Sequence, residues 1–407
     1  MARPVPVRRA GRLVRRAAVI LAALAAATAA APPAATVPNG ALNGAPIGTP
    51  DTTLTGAPSG VASGPGGLSR ELRAVRATGP HTAWAVGHEE DAQARAPLVE
   101  QFDGRAWRRV AVPGGPGGLD AVLPLGRRDV WAVGSATGPA GDRGLALHFD
   151  GRAWREVPLP DEPAGRSAHP FALTADADGV WAVGAGTGER TADPRPLAYR
   201  WDGTAWHRTD VPAPGGDAVL LAAAADGAGG VWAVGAAYDP DGTGRPLAAH
   251  WDGTAWRLLD VPSTDGASTT LEAVAAFAPD DVWAAGGTGP ADGPTEPALL
   301  HWDGARWRPA EAPGAVDGAL HALDAAEDGV LWATGERPSG GPGVARRGRG
   351  GRWSYPPTGR EASTESAASL LSVAAVPGTD GAWAVGVTPP QLGDTWQAVT
   401  EWHRLPR

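Results

Sequence analysis

The chain has 407 residues, no cysteine and a formal charge of −9. Disulfides, thiolate zinc sites and cysteine nucleophiles are thereby excluded, and a nucleic-acid phosphate backbone is a poor partner. All 35 basic residues are arginine, and eighteen tryptophans stand against three tyrosines and four phenylalanines.

The first segment in chain order reads as an export signal. Arg3, Arg8, Arg9, Arg12, Arg15 and Arg16 precede an uncharged, alanine-rich run over 17–31, and the small residues Ala27-Thr28-Ala29 follow its apolar centre. Basic start, short apolar run and small-residue cleavage site predict a signal peptide over 1–29. The run is shorter than the roughly twenty residues a spanning helix needs, so no membrane span is expected after cleavage. Neither arginine pair is followed by the rest of a twin-arginine signal, which leaves the export route open. Removing this segment leaves 29 basic against 44 acidic residues, a charge of −15. Residues 30–66, rich in Pro, Ala and Gly, read as a linker.

From 67 to the end, one pattern repeats. TAWAVG, DVWAVG, GVWAVG (twice), DVWAAG, VLWATG and GAWAVG carry Trp84, Trp131, Trp181, Trp232, Trp283, Trp332 and Trp383, at intervals of 47, 50, 51, 51, 49 and 51 residues. A period near fifty predicts propeller blades of four antiparallel strands each. Twelve residues before the motif tryptophan stands a leucine (Leu72, Leu119, Leu220, Leu271, Leu320, Leu371), or His169 in the third unit, and opens strand one. The WAVG segment is strand two. After a Gly- and Pro-rich stretch comes strand three, as in PLAAHW, then an Asp-Gly turn, the strongest short hairpin signal. Strand four opens on Trp107, Trp154, Trp206, Trp256, Trp307 and Trp353. Strand three closes on Trp201, Trp251, Trp302 and Trp402, with Phe102 and Phe149 in the first two units. Large flat side chains at these positions are expected to pack within and between blades. In unit six, Gly348 and Arg349 stand where other units carry aromatic-Asp, which predicts a loose hairpin.

The fold expected is therefore all-β, a seven-bladed β-propeller of four-stranded antiparallel blades. The last unit ends at EWHRLPR without room for a fourth strand. Because open sheet edges are avoided, the N-terminal segment 52–60, TTLTGAPSG, is expected to supply that strand and close the ring. The seven registered copies resemble the WAVG/WDG-repeat propellers secreted by actinobacteria. The (W/F)-D-G-x-x-W string resembles the Asp-box hairpin of sialidase-type propellers and the Gly/Trp pattern of kelch blades. The resemblance covers 72–407 and implies fold far more than activity, since propellers host many functions.

Chemistry outside the repeat register is sparse. Copper chemistry of the galactose-oxidase kind needs a cysteine the chain lacks. A sialidase-like site needs a tyrosine nucleophile with an arginine triad, and of the tyrosines only Tyr238 is expected on a loop. His148, His250 and His301 share one repeat position and read as structural. The run DPDGTG at 239–244 makes Asp239 and Asp241 a weak calcium candidate, and no other cofactor is expected. The variable stretches 87–97, 134–145, 184–196, 235–246, 286–297, 335–344 and 386–396 are expected as loops on one face, where function sits.

Trp396 alone lies outside the tryptophan register, and with Tyr238, His88 and Glu89 it forms the expected ligand-binding set. The reading is a secreted, monomeric, non-catalytic propeller binding an extracellular glycan or protein on that face. A glycoside hydrolase-type enzyme on the same face, or a structural envelope-assembly protein, are the alternatives.

Overall fold

The computed structural model describes residues 60–62, 68–91, 94–138, 141–162, 166–188, 194–263, 267–290, 293–337, 343–356, 368–388 and 396–404. The predicted signal peptide, most of the linker and residues 52–59 lie outside them. Among the described residues every regular element is a strand. Blade 4 shows the plan: an innermost strand Asp217–Ala225, a second Val231–Tyr238, a third Gly244–Trp251 and an outer one Trp256–Leu259, antiparallel in that order. The innermost strands of successive blades touch one another, and that of blade 7 touches that of blade 1, so the ring closes around an axis.

The motif tryptophan explains the assembly. Strand alternation directs it toward the next blade, where it meets both aromatics of that blade's Asp-Gly hairpin. Trp84 lies 5.2 Å from Phe149 and 5.6 Å from Trp154, and Trp181 and Trp232 repeat the geometry against Trp251 with Trp256 and Trp302 with Trp307. Trp383 makes the same contact across the closing seam, with Phe102 and Trp107 of blade 1. Edge-on contacts of this kind add about 0.5–1.5 kcal/mol each beyond the area they bury. The expected structural histidines stack on the same indoles: His148 on Trp131 at 4.3 Å and His301 on Trp283 at 4.3 Å.

Blades 6 and 7 depart from the expected pattern in three places. The unit-six hairpin forms, with Arg347 paired to Trp353 across a turn one residue longer than in the other units. Arg347, not Gly348, thus takes the aromatic position, and its guanidinium covers Trp283 of blade 5 at 4.5 Å. In blade 7, Trp402 pairs with Trp383 rather than with Ala382, so His403 stands where other blades carry the strand-three aromatic. The second strand of blade 6 also bridges directly to the innermost strand of blade 7, at Glu336 with Ser369 and Arg337 with Ala368, fusing the two blades into one eight-stranded sheet.

The missing outer strand of blade 7 is supplied from the N-terminal side, as Gly60–Ala62 paired antiparallel with Ala398 to Thr400. The pairing residues lie C-terminal to the expected segment 52–60 and share only Gly60 with it. The stretches expected as loops are also mostly strand. The second and third strands of blade 2, Asp129–Gly138 and Gly141–Phe149, run almost to the tip of their hairpin, and those of blade 1, Thr82–Glu90 and Arg95–Phe102, leave a four-residue turn. Long β-hairpins therefore crown this face of the ring.

Candidate functional site: the axial ring and the blade 1 seams

The glycine of each WAVG string marks a feature that alternation alone does not reveal. A Cβ on Gly87 would lie 2.0 Å from the Glu71 carbonyl oxygen, and one on Gly235 2.0 Å from that of Val219. Only glycine permits this approach. It accommodates a β-bulge that recurs in every innermost strand, one residue past the position opposite the glycine. That opposite position is the expected leucine in five blades, but Pro170 rather than His169 in blade 3 and Leu370 rather than Leu371 in blade 7. Blade 3 lacks the second register shift that blades 1, 2 and 5 carry beside the same two-residue turn, and blade 7 has one more residue between its last paired positions than blades 4 and 6, so a fixed twelve-residue offset misplaces both.

A bulge leaves one residue unpaired and re-aims its side chain. The bulge residues are Arg73, Asp120, Phe171, Leu221, Glu272, His321 and Leu371, one on each innermost strand around the axis. All are half-buried. Neighbours pair where their chemistry allows: Arg73 to Asp120 at 3.2 Å, and His321 Nδ1 to Glu272 at 2.7 Å. Phe171 and Leu221, on consecutive blades, form an apolar arc between these two polar arcs. The repeat thus fixes the backbone at seven equivalent points while leaving the side chain free to vary.

The expected site residues divide among three seams. His88 and Glu89 are consecutive in one strand and so face opposite seams. Glu89 looks toward blade 7, bonded to Arg109 and 3.5 Å from Arg70. Trp396 joins this cluster through its backbone: its carbonyl accepts from the Arg70 N–H at 3.0 Å, and its N–H donates to Ser69 Oγ at 3.2 Å. Its half-buried side chain therefore stands at the junction of the last and first blades. His88 looks toward blade 2 and receives the Arg95 guanidinium at 3.0 Å on Nδ1. Burial first, then the charges of Arg95 and Arg73, push its pKa down to about 2, so His88 is a neutral acceptor throughout the working pH range.

Tyr238 lies on blade 4, far from blade 1 in ring order. It is turned into the seam with blade 5, beside Thr270, and burial raises its phenol above the ordinary range. The Tyr199 hydroxyl is closed by Glu162 at 2.5 Å and raised in the same way, by burial and then by that carboxylate. Both shifts run opposite to what a tyrosine nucleophile needs. Asp239 accepts from Arg245 at 2.9 Å, and Asp241 accepts from the Thr243 N–H at 2.8 Å, so both carboxylates fasten their own hairpin. No group of three or more metal-ligating side chains occurs among the described residues. No helix among them is long and apolar enough to cross a membrane.

Similarity to solved structures agrees with this architecture. The chain is similar to U3-55K (11% identity, 85% of this chain and 98% of that one, TM-score 0.51) and to YCF48 from Cyanidioschyzon merolae (14%, 85% and 98%, TM-score 0.50). An α-L-arabinanase from Penicillium chrysogenum, complexed with arabinobiose, aligns at 12% identity over 70% of this chain and 92% of that one, TM-score 0.49. At identities this low, the first two likenesses show a shared fold and nothing finer. No protein family and no curated protein matches the sequence.

Of the site, the axial ring escaped the sequence reading. Its signal was the glycine at an interior strand position, repeated seven times and explained by no turn. Arg95 was missed as well, because a single arginine among 35 carries no pattern.

Proposed function

We propose that this chain is a secreted binding module whose ligand docks on the face crowned by the long hairpins, over the mouth of the axial ring. The observation that carries the reading is the contrast between the two faces. The Asp-Gly face repeats one hairpin nearly unchanged in blades 1 to 5, whereas the seven axial positions carry six different residue types within a constant backbone. Constancy of scaffold with variation at seven convergent positions is what recognition requires. The signal-like start of the sequence and the resemblance of its repeats to secreted WAVG/WDG propellers support export.

A segment of an extracellular protein suits this face better than a glycan. Sugar rings are usually stacked on exposed aromatic platforms, but the exposed large apolar residues among the described ones are Leu125 and Tyr355. Leu125 lies beside the turn between the first two strands of blade 2, and Tyr355 follows the outer strand of blade 6. Leu125 is therefore on the Asp-Gly face, and the Tyr355 hydroxyl is occupied by the Ala315 N–H in the connection between blades 5 and 6. Among the described residues of the crowning hairpins, His88, Glu89, Arg95, Asp239 and Arg245 supply polar and charged groups instead.

The absence of cysteine makes a clean test possible. Single cysteines replace exposed Pro240, at a hairpin tip of the crowned face, or exposed Thr204, in an Asp-Gly turn of the other, and each is coupled to polyethylene glycol. Capture of partners from the culture medium of the source cells should be blocked by the polymer at position 240 and retained with it at 204. Equal capture by both conjugates would remove the assignment of face.

A further inference from the structure

The seam between blades 1 and 2 holds a guanidinium that no carboxylate touches among the described residues. Arg95 opens the third strand of blade 1, opposite Glu90, and is half-buried. Its one hydrogen bond among the described residues goes to His88, which is neutral, and it makes no ion pair there. Every other charged group facing it leaves it so. Arg73 is engaged by Glu71 at 2.9 Å and Asp120 at 3.2 Å, and Glu90, Glu71 and Asp120 act on Arg95 only at a distance. Arg73 itself repels it, and together with burial this lowers the pKa of Arg95. A guanidinium has five donors in a planar fork, and here most of them are unused.

Room for it is built into blade 2. A Cβ on Gly118 would lie 3.0 Å from the Arg95 Nη2. The equivalent positions of the other blades carry Glu71, His169, Val219, Thr270, Ala319 and Ser369, so this seam alone has glycine there. Two guanidiniums, a neutral imidazole beneath them and the side-chain-free wall at Gly118 line the hairpin end of the seam, beside the polar arc of the axial ring.

We infer that Arg95, seated on His88 and flanked by Arg73, is the anchor for a carboxylate of the bound protein segment, an aspartate or glutamate side chain. The inference rests on the proposed binding role of this face and names the chemistry it selects. A planar carboxylate matches the fork of Arg95 in two-pronged fashion, gives it the direct ion pair it lacks and relieves the repulsion from Arg73. Of the carboxylates near enough to act on Arg95, Glu71 and Asp120 are neutralised by Arg73 at 2.9 and 3.2 Å, which limits their repulsion of the incoming group, and charges farther than about 8 Å are screened at physiological ionic strength.

The test uses the chain lacking residues 1–29 and fluorescein-labelled poly-L-glutamate, followed by anisotropy, with polygalacturonate and poly-L-glutamine as parallel probes. Poly-L-glutamate should bind saturably, more weakly as salt rises, and poly-L-glutamine should not. Arg95→Gln should weaken binding about tenfold or more, as expected for loss of a charge-assisted pair, with Arg95→Lys intermediate because charge is kept and the fork is lost. Gly118→Ala should weaken it too, by crowding the guanidinium without changing any charge. All three variants should melt within a few degrees of the parent. Absence of poly-L-glutamate binding, undiminished binding by Arg95→Gln, or binding of polygalacturonate alone would overturn the assignment. If that happens while the polymer at position 240 still blocks partner capture, the crowned-face reading stands and only its carboxylate chemistry falls.

Discussion

At the scale of single residues, the tryptophans divide into those that build the ring and one that does not repeat. Trp232 is buried, lies 5.2 Å from Trp302 and 5.7 Å from Trp307 of the next blade, and carries His250 on its face at 4.4 Å. Trp232→Ala removes all three contacts and leaves a void between two rigid sheets that cannot collapse to fill it. A loss of about 3–5 kcal/mol is expected, read as a lowered denaturant midpoint with unchanged slope. An unchanged midpoint would mean that blades 4 and 5 do not meet through this side chain. Arg347 shows that the site on the receiving blade wants a flat, polarisable group rather than an aromatic ring as such. A guanidinium over Trp283 fills it through cation–π attraction and planar stacking.

At the scale of the element, the Asp-Gly hairpin is a self-contained device. In blade 5, Asp303 Oδ1 accepts the Ala305 and Arg306 N–H groups, Oδ2 takes the Arg308 guanidinium, and Gly304 sits at φ 87°, a left-handed conformation that glycine adopts without strain. Asp103, Asp202 and Asp252 repeat the arrangement, with His207 in place of the arginine beside Asp202. The arginine bond, followed by the two backbone bonds, holds the Asp303 carboxyl down at about 2. The folded value is thus depressed below the ordinary 3.8, so the stabilisation is fully present above that value and is lost as pH falls toward 2. The melting temperature should therefore change little through these hairpins between neutral pH and 4, then drop between pH 4 and 2. In Asp303→Asn the drop over that interval should be shallower than in the parent, because one of the linked carboxylates is gone. A parallel acid limb in the variant would show that Asp303 contributes nothing to it.

At the scale of the whole molecule, stability depends on closing a ring whose last blade is short. Gly60–Ala62 completes blade 7, Trp383 seals it against blade 1, and the Trp396 carbonyl ties the last blade to the Arg70 N–H. An unpaired third strand would expose the N–H and C=O groups that these three residues now satisfy. A chain beginning at residue 63 should accordingly melt several degrees below one beginning at residue 57, in scanning calorimetry at equal concentration. A truncation ending before residue 49 should melt like the longer chain. Coincident melting of all three would show that the ring closes without its N-terminal strand.

The repeat interval, the strand alternation around each tryptophan and the Asp-Gly turns determined the seven-bladed architecture, because each is a local pattern copied at constant spacing. The short last unit also implied closure from the N-terminal side, since an open edge is physically costly. Which residues would close it was not fully legible: the expected segment 52–60 lies outside the described residues except for Gly60, and the pairing of Gly60–Ala62 with Ala398 to Thr400 is a contact between the two ends of the repeat that no local pattern marks. The same limit governs the site. His88 and Glu89 were visible as a polar pair, but the alternation that sends them into different seams, and the partners they find there, depend on the neighbouring blades. The axial ring, the shift of Trp402 by one residue, the room that Gly118 leaves for Arg95 and the lack of a direct ion pair at that arginine all involve residues brought together from separate units. Sequence spacing fixes what each blade is; what faces what across a seam is decided by the rotation between blades, which no single unit encodes.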